Sequence, residues 1–194
     1  MDVCSFLIDN FKMMKMYGLI LSCGCVRRLQ NRDVLTFDRL SRTVSGMNLK
    51  KILSPEVISL HLPGDSKQEI IESLLDLCMK TGKISDRQKA LDCILERERK
   101  MSTGIQHGVA IPHGKTEAVT DLAACVGLRK DGIDFESLDG EPSRIFIMTV
   151  SPINRIGPHV QFLAEVSHLL KSRENRERIL AAESVEQVLS LLLE

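Results

Sequence analysis

The sequence contains no tryptophan and a single tyrosine in 194 residues, and its acidic and basic side chains balance at 26 each. The scarcity of stacking aromatics removes the platforms that hold single-stranded nucleic acid and argues against a carbohydrate-binding cleft. Zero net charge leaves no long-range field for nucleic acid or an anionic membrane, so any anion must be held locally. No apolar run reaches the roughly 18 residues that a membrane-spanning helix needs. The six cysteines, Cys4, Cys23, Cys25, Cys78, Cys93 and Cys125, contain no CxxC pair. That spacing disfavours a zinc or dithiol site and fits a reducing compartment. The expectation is a cytoplasmic protein that works without metal or cofactor, without nucleic acid and without stable membrane insertion.

What is present is one domain of ordinary size and a modest extension. Residues 1–46 read as an N-terminal extension or linker and residues 47–194 as the domain. Within the extension, residues 13–25 hold a lysine, a short apolar core and Ile20-Leu21-Ser22-Cys23, loosely like a lipoprotein cleavage box. The core is short for that role, and an amphipathic segment on Leu7, Ile8, Phe11 and Met14 is the plainer reading. Residues 27–46 mix charges with turn formers and show no period.

In the domain, residues 57–62 are β-branched and closed by Pro63-Gly64, as a first strand and turn would be. Ser66 and Glu69 form a capping box ahead of Ile70, Ile71, Leu74, Leu75 and Cys78, a helix stopping near Gly82. Ser85 and Gln88 repeat the box ahead of Ala90, Leu91, Ile94 and Leu95, a second helix running to Lys100. Its basic last turn, Arg97, Arg99 and Lys100, complements the helix dipole, a sufficient role for at least two of the three. Residues 109–111, 122–128 and 144–150 read as strands of one sheet. From His159 on, Phe162, Leu163, Val166, Leu169 and Leu170 make a helical stripe, and Ser184 with Gln187 caps a final helix. Helices flanking a mixed sheet give an α/β three-layer sandwich.

The chemistry concentrates in residues 102–115, Ser-Thr-Gly-Ile-Gln-His-Gly-Val-Ala-Ile-Pro-His-Gly-Lys. Pro112 stiffens the backbone and withholds an N–H, and Gly114 lets the chain turn closely around whatever His113 holds. With an unperturbed pKa near ~6.5, such a histidine offers a neutral, nucleophilic nitrogen in the cytosol. A lone histidine after a strand is also a common structural residue. The spacing from Gly108 to Gly114-Lys115-Thr116 is one residue too long for a P-loop, and Pro112 would delete one of its amides. A zinc site from His107, His113, His159 and His168 matches no helical or knuckle spacing.

The run Ser102-Thr103-Gly104-Ile105 followed by Gly108-Val109-Ala110-Ile111-Pro112-His113-Gly114 resembles the signature of the fructose/mannitol/nitrogen-type enzyme IIA domain of the PEP-dependent phosphotransferase system. The likeness covers about residues 50–194. It implies that His113 is the phosphorylated residue, through Nε2, and that the phosphoryl group comes from an HPr-type phosphocarrier protein. It further implies that Arg97, in Arg97-Glu98, holds phosphoryl oxygens, and that His159, in Gly157-Pro158-His159, donates a hydrogen bond to the same group or orients His113. Residues 132–140 are similar to the nitrogen-regulatory branch, whereas Gln106-His107 departs from the Gly-Asn usual there.

Transfer between histidines passes through a loose transition state, so positioning and electrostatics suffice and no metal is required. Arg97 supplies a planar fork for two oxygens. Amides around Gly114 would form an anion nest. Ser102 and Thr103 are hydroxyl donors or turn residues, His107 a surface loop residue, and His61 and His168 structural. Three functions follow. The domain passes phosphate to a IIB partner, or it is a regulatory phosphoprotein whose charge selects its target, the favoured reading. The alternative is a non-phosphorylated binding module on the same fold, which the Arg97, His113 and His159 set disfavours.

Overall fold

The computed structural model describes residues 49–194. The readings of residues 1–46 and the boundary at Met47 lie outside the described residues. Among the described residues no helix is long and apolar enough to cross a membrane.

Two short 3-10 turns, Leu49–Lys51 and Pro55–Val57, lead into β1 (Ile58–Ser59). Helices α1 (Lys67–Met79) and α2 (Arg87–Lys100) follow. Then come β2 (Val109–Ala110), β3 (His113–Lys115), β4 (Ala123–Ile133) and β5 (Ser143–Ser151). Three helices close the chain: α3 (Ile156–Lys171), α4 (Arg173–Ala181) and α5 (Val185–Leu192). The sheet is mixed. β4 and β5 pair antiparallel at its centre, β1 runs parallel to β4 at one edge, and β2 and β3 run parallel to β5 at the other. Every residue of β5 except Arg144 is buried. A strand covered on both faces needs helices on both sides of the sheet, the three-layer arrangement expected.

β2 and β3 are one edge strand broken at Ile111-Pro112. Val109 stands against Ile145 and His113 against Thr149, so the register is unchanged across the gap. Pro112 has no N–H to offer a ladder, yet its carbonyl accepts from Thr149 N at 3.1 Å and keeps the two halves aligned. Ahead of it, His107 (φ 62°) and Gly108 (φ 75°) form a tight reversal between Ile105 and Val109, whose N–H and carbonyl bond at 2.9 Å. The loop between them holds only three residues, 106–108, and its two successive positive φ values let the chain turn back in so short a span.

Several expectations shift by residues. Ser66 caps α1 as expected, but Glu69 reaches back to the amide of Asp65 rather than to that of Ser66. Asp86, not Ser85, caps α2 by accepting from Lys89 N at 3.0 Å. The Ser85 hydroxyl instead donates to the carbonyl of Ala118 at 3.0 Å, because the Ile84–Val119 bridge draws it to that loop. The first strand is only two residues long, since the chain bends after Ser59 and rejoins the sheet through Leu62 N to Leu128 O. β4 extends past its apolar run into Arg129, which anchors on Gly64 O and Asp65. Helix α4 has only Ile179 fully buried and offers no apolar stripe.

Candidate functional site

His113 opens β3 on the edge strand and is 5% exposed. Its Nδ1 lies 2.7 Å from the carbonyl oxygen of Ile111, and a carbonyl can only accept. The proton of the neutral ring therefore sits on Nδ1, and Nε2 carries the lone pair. Arg97 Nε–H donates to that Nε2 at 3.1 Å. Burial pushes the imidazole down from its ordinary 6.5 to about 4, with Arg97 and Lys115 adding to the effect against the Ile111 carbonyl. The ring is neutral at neutral pH and its nucleophilic atom is defined by the hydrogen bonding.

Gly114 explains how α2 comes so close. A Cβ there would lie 3.0 Å from Cys93 Sγ and 3.2 Å from Ile94 Cγ1, both on α2. Alternation along the strand turns His113 and Lys115 to the other face. Arg97, one turn beyond Cys93 and Ile94, reaches the imidazole while its Nη1 donates to Met101 O at 2.8 Å and closes the end of the helix. Two of the five guanidinium donors are so used, leaving three. Glu98, 8% exposed, points elsewhere: it accepts from Thr103 N and Thr103 Oγ1 and pairs with Lys67 Nζ at 2.7 Å. The Arg97-Glu98 pair thus splits its work, one side chain on the histidine and the other pinning the 101–104 turn.

His159 lies in the first turn of α3, and its ring centroid is 5.8 Å from that of His113 with the planes inclined at 58°. It is fully buried, and its Nδ1 is 2.8 Å from Ser151 Oγ. Among the described residues its Nε2 has no hydrogen-bond partner. Burial, reinforced by His113 and Lys115, takes its pKa to about 3. The structure therefore brings together the three residues singled out in the sequence, Arg97, His113 and His159.

One other expectation is corrected. Gly114 lies within a strand and is not among the positive-φ glycines, so the anion nest expected around it does not form. Thr103 is bound to Glu98, and the Ser102 hydroxyl donates to Phe135 O at 2.8 Å, so both hydroxyls hold the turn. His61, His107 and His168 are exposed. Among the described residues no cluster of His, Cys, Asp or Glu suits a metal.

Two neighbours escaped sequence reasoning. Lys115 follows His113 by two positions on the same strand, so both project to one face. Its ammonium has no ion pair among the described residues, and partial burial lowers its pKa. The spacing was legible, but its meaning depended on placing residues 113–115 in a strand rather than a turn. Ser151 stands opposite Lys115 in the parallel pair; nothing in its local sequence marks it.

The site thus sets a buried, neutral histidine beside an arginine and a second histidine. Residues 51–194 match the family described as phosphoenolpyruvate-dependent sugar phosphotransferase system, EIIA 2, and the chain belongs to that family. It is 37% identical over 147 residues to the PTS system fructose-specific EIIA component of Haloferax volcanii, covering 76% of this chain and 96% of that protein. Identity to the PTS system fructose-specific EIIABC component of Bacillus subtilis is 36% over 146 residues, 75% of this chain but only 23% of that longer protein. A nitrogen regulatory protein of Klebsiella oxytoca is 30% identical over 151 residues, 77% of this chain and 93% of that one. Among solved structures, nitrogen regulatory protein IIA-Ntr from Neisseria meningitidis superposes with a TM-score of 0.70 at 26% identity, covering 74% of this chain and 98% of that one. The fold also matches Escherichia coli enzyme IIA mannitol in its complex with phosphorylated enzyme IIB mannitol, with a TM-score of 0.63 at 24% identity, covering 72% of this chain and 96% of that one.

Proposed function

We propose that this domain accepts a phosphoryl group on Nε2 of His113 from the phosphohistidine of an HPr-type donor and passes it to a IIB-type acceptor in the cytosol. The observation that carries this reading is the commitment of Nδ1 to the Ile111 carbonyl, which leaves the Nε2 lone pair as the attacking atom. In the forward step the Nε2–P bond forms, the P–N bond of the donor breaks, and its electron pair returns to the donor ring. No proton has to move. The product ring keeps its Nδ1 proton and gains positive charge, which the Ile111 carbonyl stabilises.

Arg97 must exchange its Nε–H···Nε2 bond for phosphoryl oxygens as the lone pair is consumed, and its three remaining donors give it the means. Lys115 supplies a second positive charge on the same face. His159 provides a hydrogen-bond donor from a neutral ring. Transfer is then a matter of positioned charge, as a loose phosphoryl transition state demands. The fructose-specific relatives, at 36 and 37% identity, favour transfer to a IIB-type acceptor.

A second reading, regulation through the phosphorylation state of His113, is favoured by the nitrogen-regulatory likeness of residues 132–140 and by the fit to IIA-Ntr. One experiment serves both. Incubation with PEP, enzyme I and HPr should give an acid-labile label on His113, absent from a folded His113→Ala. Labelling that persists in the variant removes His113 from the reaction. No label on the folded wild type leaves the non-phosphorylated binding module. Passage of the label to a IIB protein separates transport from regulation.

A further inference from the structure

Ser151 ends β5, and the Pro152–Arg155 turn followed by the first turn of α3 brings His159 back over it. The serine is 1% exposed. Its hydroxyl proton needs an acceptor, as buried polar groups do, and the partner the structure gives Ser151 Oγ is His159 Nδ1 at 2.8 Å.

Two arrangements of protons are conceivable. If the ring donated from Nδ1, the hydroxyl proton would lack an acceptor and Nε2 would hold a buried, unused lone pair. If the hydroxyl donates to Nδ1, that contact is satisfied and one group alone is left over: a buried N–H on Nε2, without a partner among the described residues. The second arrangement leaves fewer orphans, and what it leaves is a donor in a ring 5.8 Å from the ring of His113. The low basicity of His159 keeps the ring neutral, so the position of its single proton matters.

We propose that Ser151 is a positioning residue that holds His159 in the Nε2–H tautomer and so readies a hydrogen-bond donor for the phosphoryl group carried on His113. The proposal rests on the phosphocarrier reading above for the role of that donor, and on geometry alone for the tautomer. In the phosphorylated protein a phosphoryl oxygen accepts from that N–H. In the opposite tautomer the same atom would turn a lone pair on that oxygen, and binding of the phosphoryl group would be opposed. Lys115, on the strand residue paired with Ser151, lies on the same side of the sheet and adds its charge to the same pocket.

The test uses the full chain labelled with 15N in its histidines, with His159 assigned by loss of its signals in His159→Gln. At neutral pH the unphosphorylated wild type should show a protonated Nε2 and an unprotonated Nδ1 on His159. Ser151→Ala should give a mixed or reversed tautomer and slow phosphoryl acceptance several-fold, less than the ~100-fold typical when a whole oxyanion donor is deleted. Ser151→Thr, which restores a hydroxyl, should recover both. A wild-type ring protonated on Nδ1, or a Ser151→Ala ring that keeps the wild-type tautomer and rate, overturns the proposal. If Ser151→Ala fails to fold, the wild-type spectrum and Ser151→Thr still decide. A wild type that takes no phosphoryl group sinks the phosphocarrier reading and the donor's role with it, while its spectrum judges the tautomer separately.

Discussion

Mild acid should destabilise this domain through its two buried imidazoles, and the size of the effect can be worked out. Both rings titrate lower in the fold than in the unfolded chain, His113 at about 4 and His159 at about 3 against an ordinary 6.5. Below 6.5 the unfolded chain therefore binds more protons, so the stability these rings contribute is complete above that pH and is lost as pH falls toward their folded values. At about pH 5 an unfolded imidazole is almost wholly protonated and a folded one almost wholly neutral. Proton linkage then favours unfolding by about 2 kcal/mol for each ring, or about 4 kcal/mol for the pair. That is a large part of the 5–15 kcal/mol typical of a domain. The measurement is urea unfolding at about pH 7.5 and about pH 5 for the wild type and for His113→Gln/His159→Gln. Carboxylates that begin to titrate are common to both proteins and cancel in the comparison. The wild type should lose about 4 kcal/mol more than the double variant. Equal losses would mean that the two rings are not held neutral by burial, and the account of a neutral nucleophile would go with them.

Arg97→Lys should slow phosphoryl acceptance by roughly 10- to 100-fold, because an ammonium keeps the charge but not the fork; single-turnover rates at wild-type level would remove Arg97 from the site. His159→Ala should cost less than Arg97→Lys in acceptance, since it deletes one neutral donor, and separate rates for acceptance and donation would show a reversed order if the assignment is wrong. Glu98→Ala should lower stability by about 3 kcal/mol by stranding Thr103 N, Thr103 Oγ1 and Lys67; a change below about 1 kcal/mol in denaturant unfolding would show that the 101–104 turn does not depend on it.

Helices were legible where a cap and a stripe agreed, as at Ser66 and at Ser184. They were misjudged by one residue where two candidate caps stood side by side, at Ser85-Asp86, because the choice was made by a distant contact of Ser85 with Ala118. Helix α4 left little trace because most of it is charged and only Ile179 is fully buried; its stability comes from neighbours, not from a stripe of its own. The site divides in the same way. Arg97, His113 and His159 were reached through a resemblance carried by their local sequence. Ser151, Lys115 and the Lys67–Glu98 pair take their roles from strand register and helix packing, which connect positions far apart in the chain. The turn imagined around Gly114 failed for a related reason: glycine there serves the approach of α2, and periodicity cannot distinguish a close neighbour from a bend.

For the proposed phosphocarrier, the depressed basicity of His113 bears on the outgoing leg of the reaction. A nitrogen that binds a proton weakly is also a willing leaving group, since proton affinity and phosphoryl affinity rise and fall together along a Brønsted series. An imidazole of ordinary basicity would hold its phosphoryl group more firmly and tend toward a sink. In the proposed carrier, the burial of His113 therefore keeps the bound group at high transfer potential, so that the cargo remains ready for delivery.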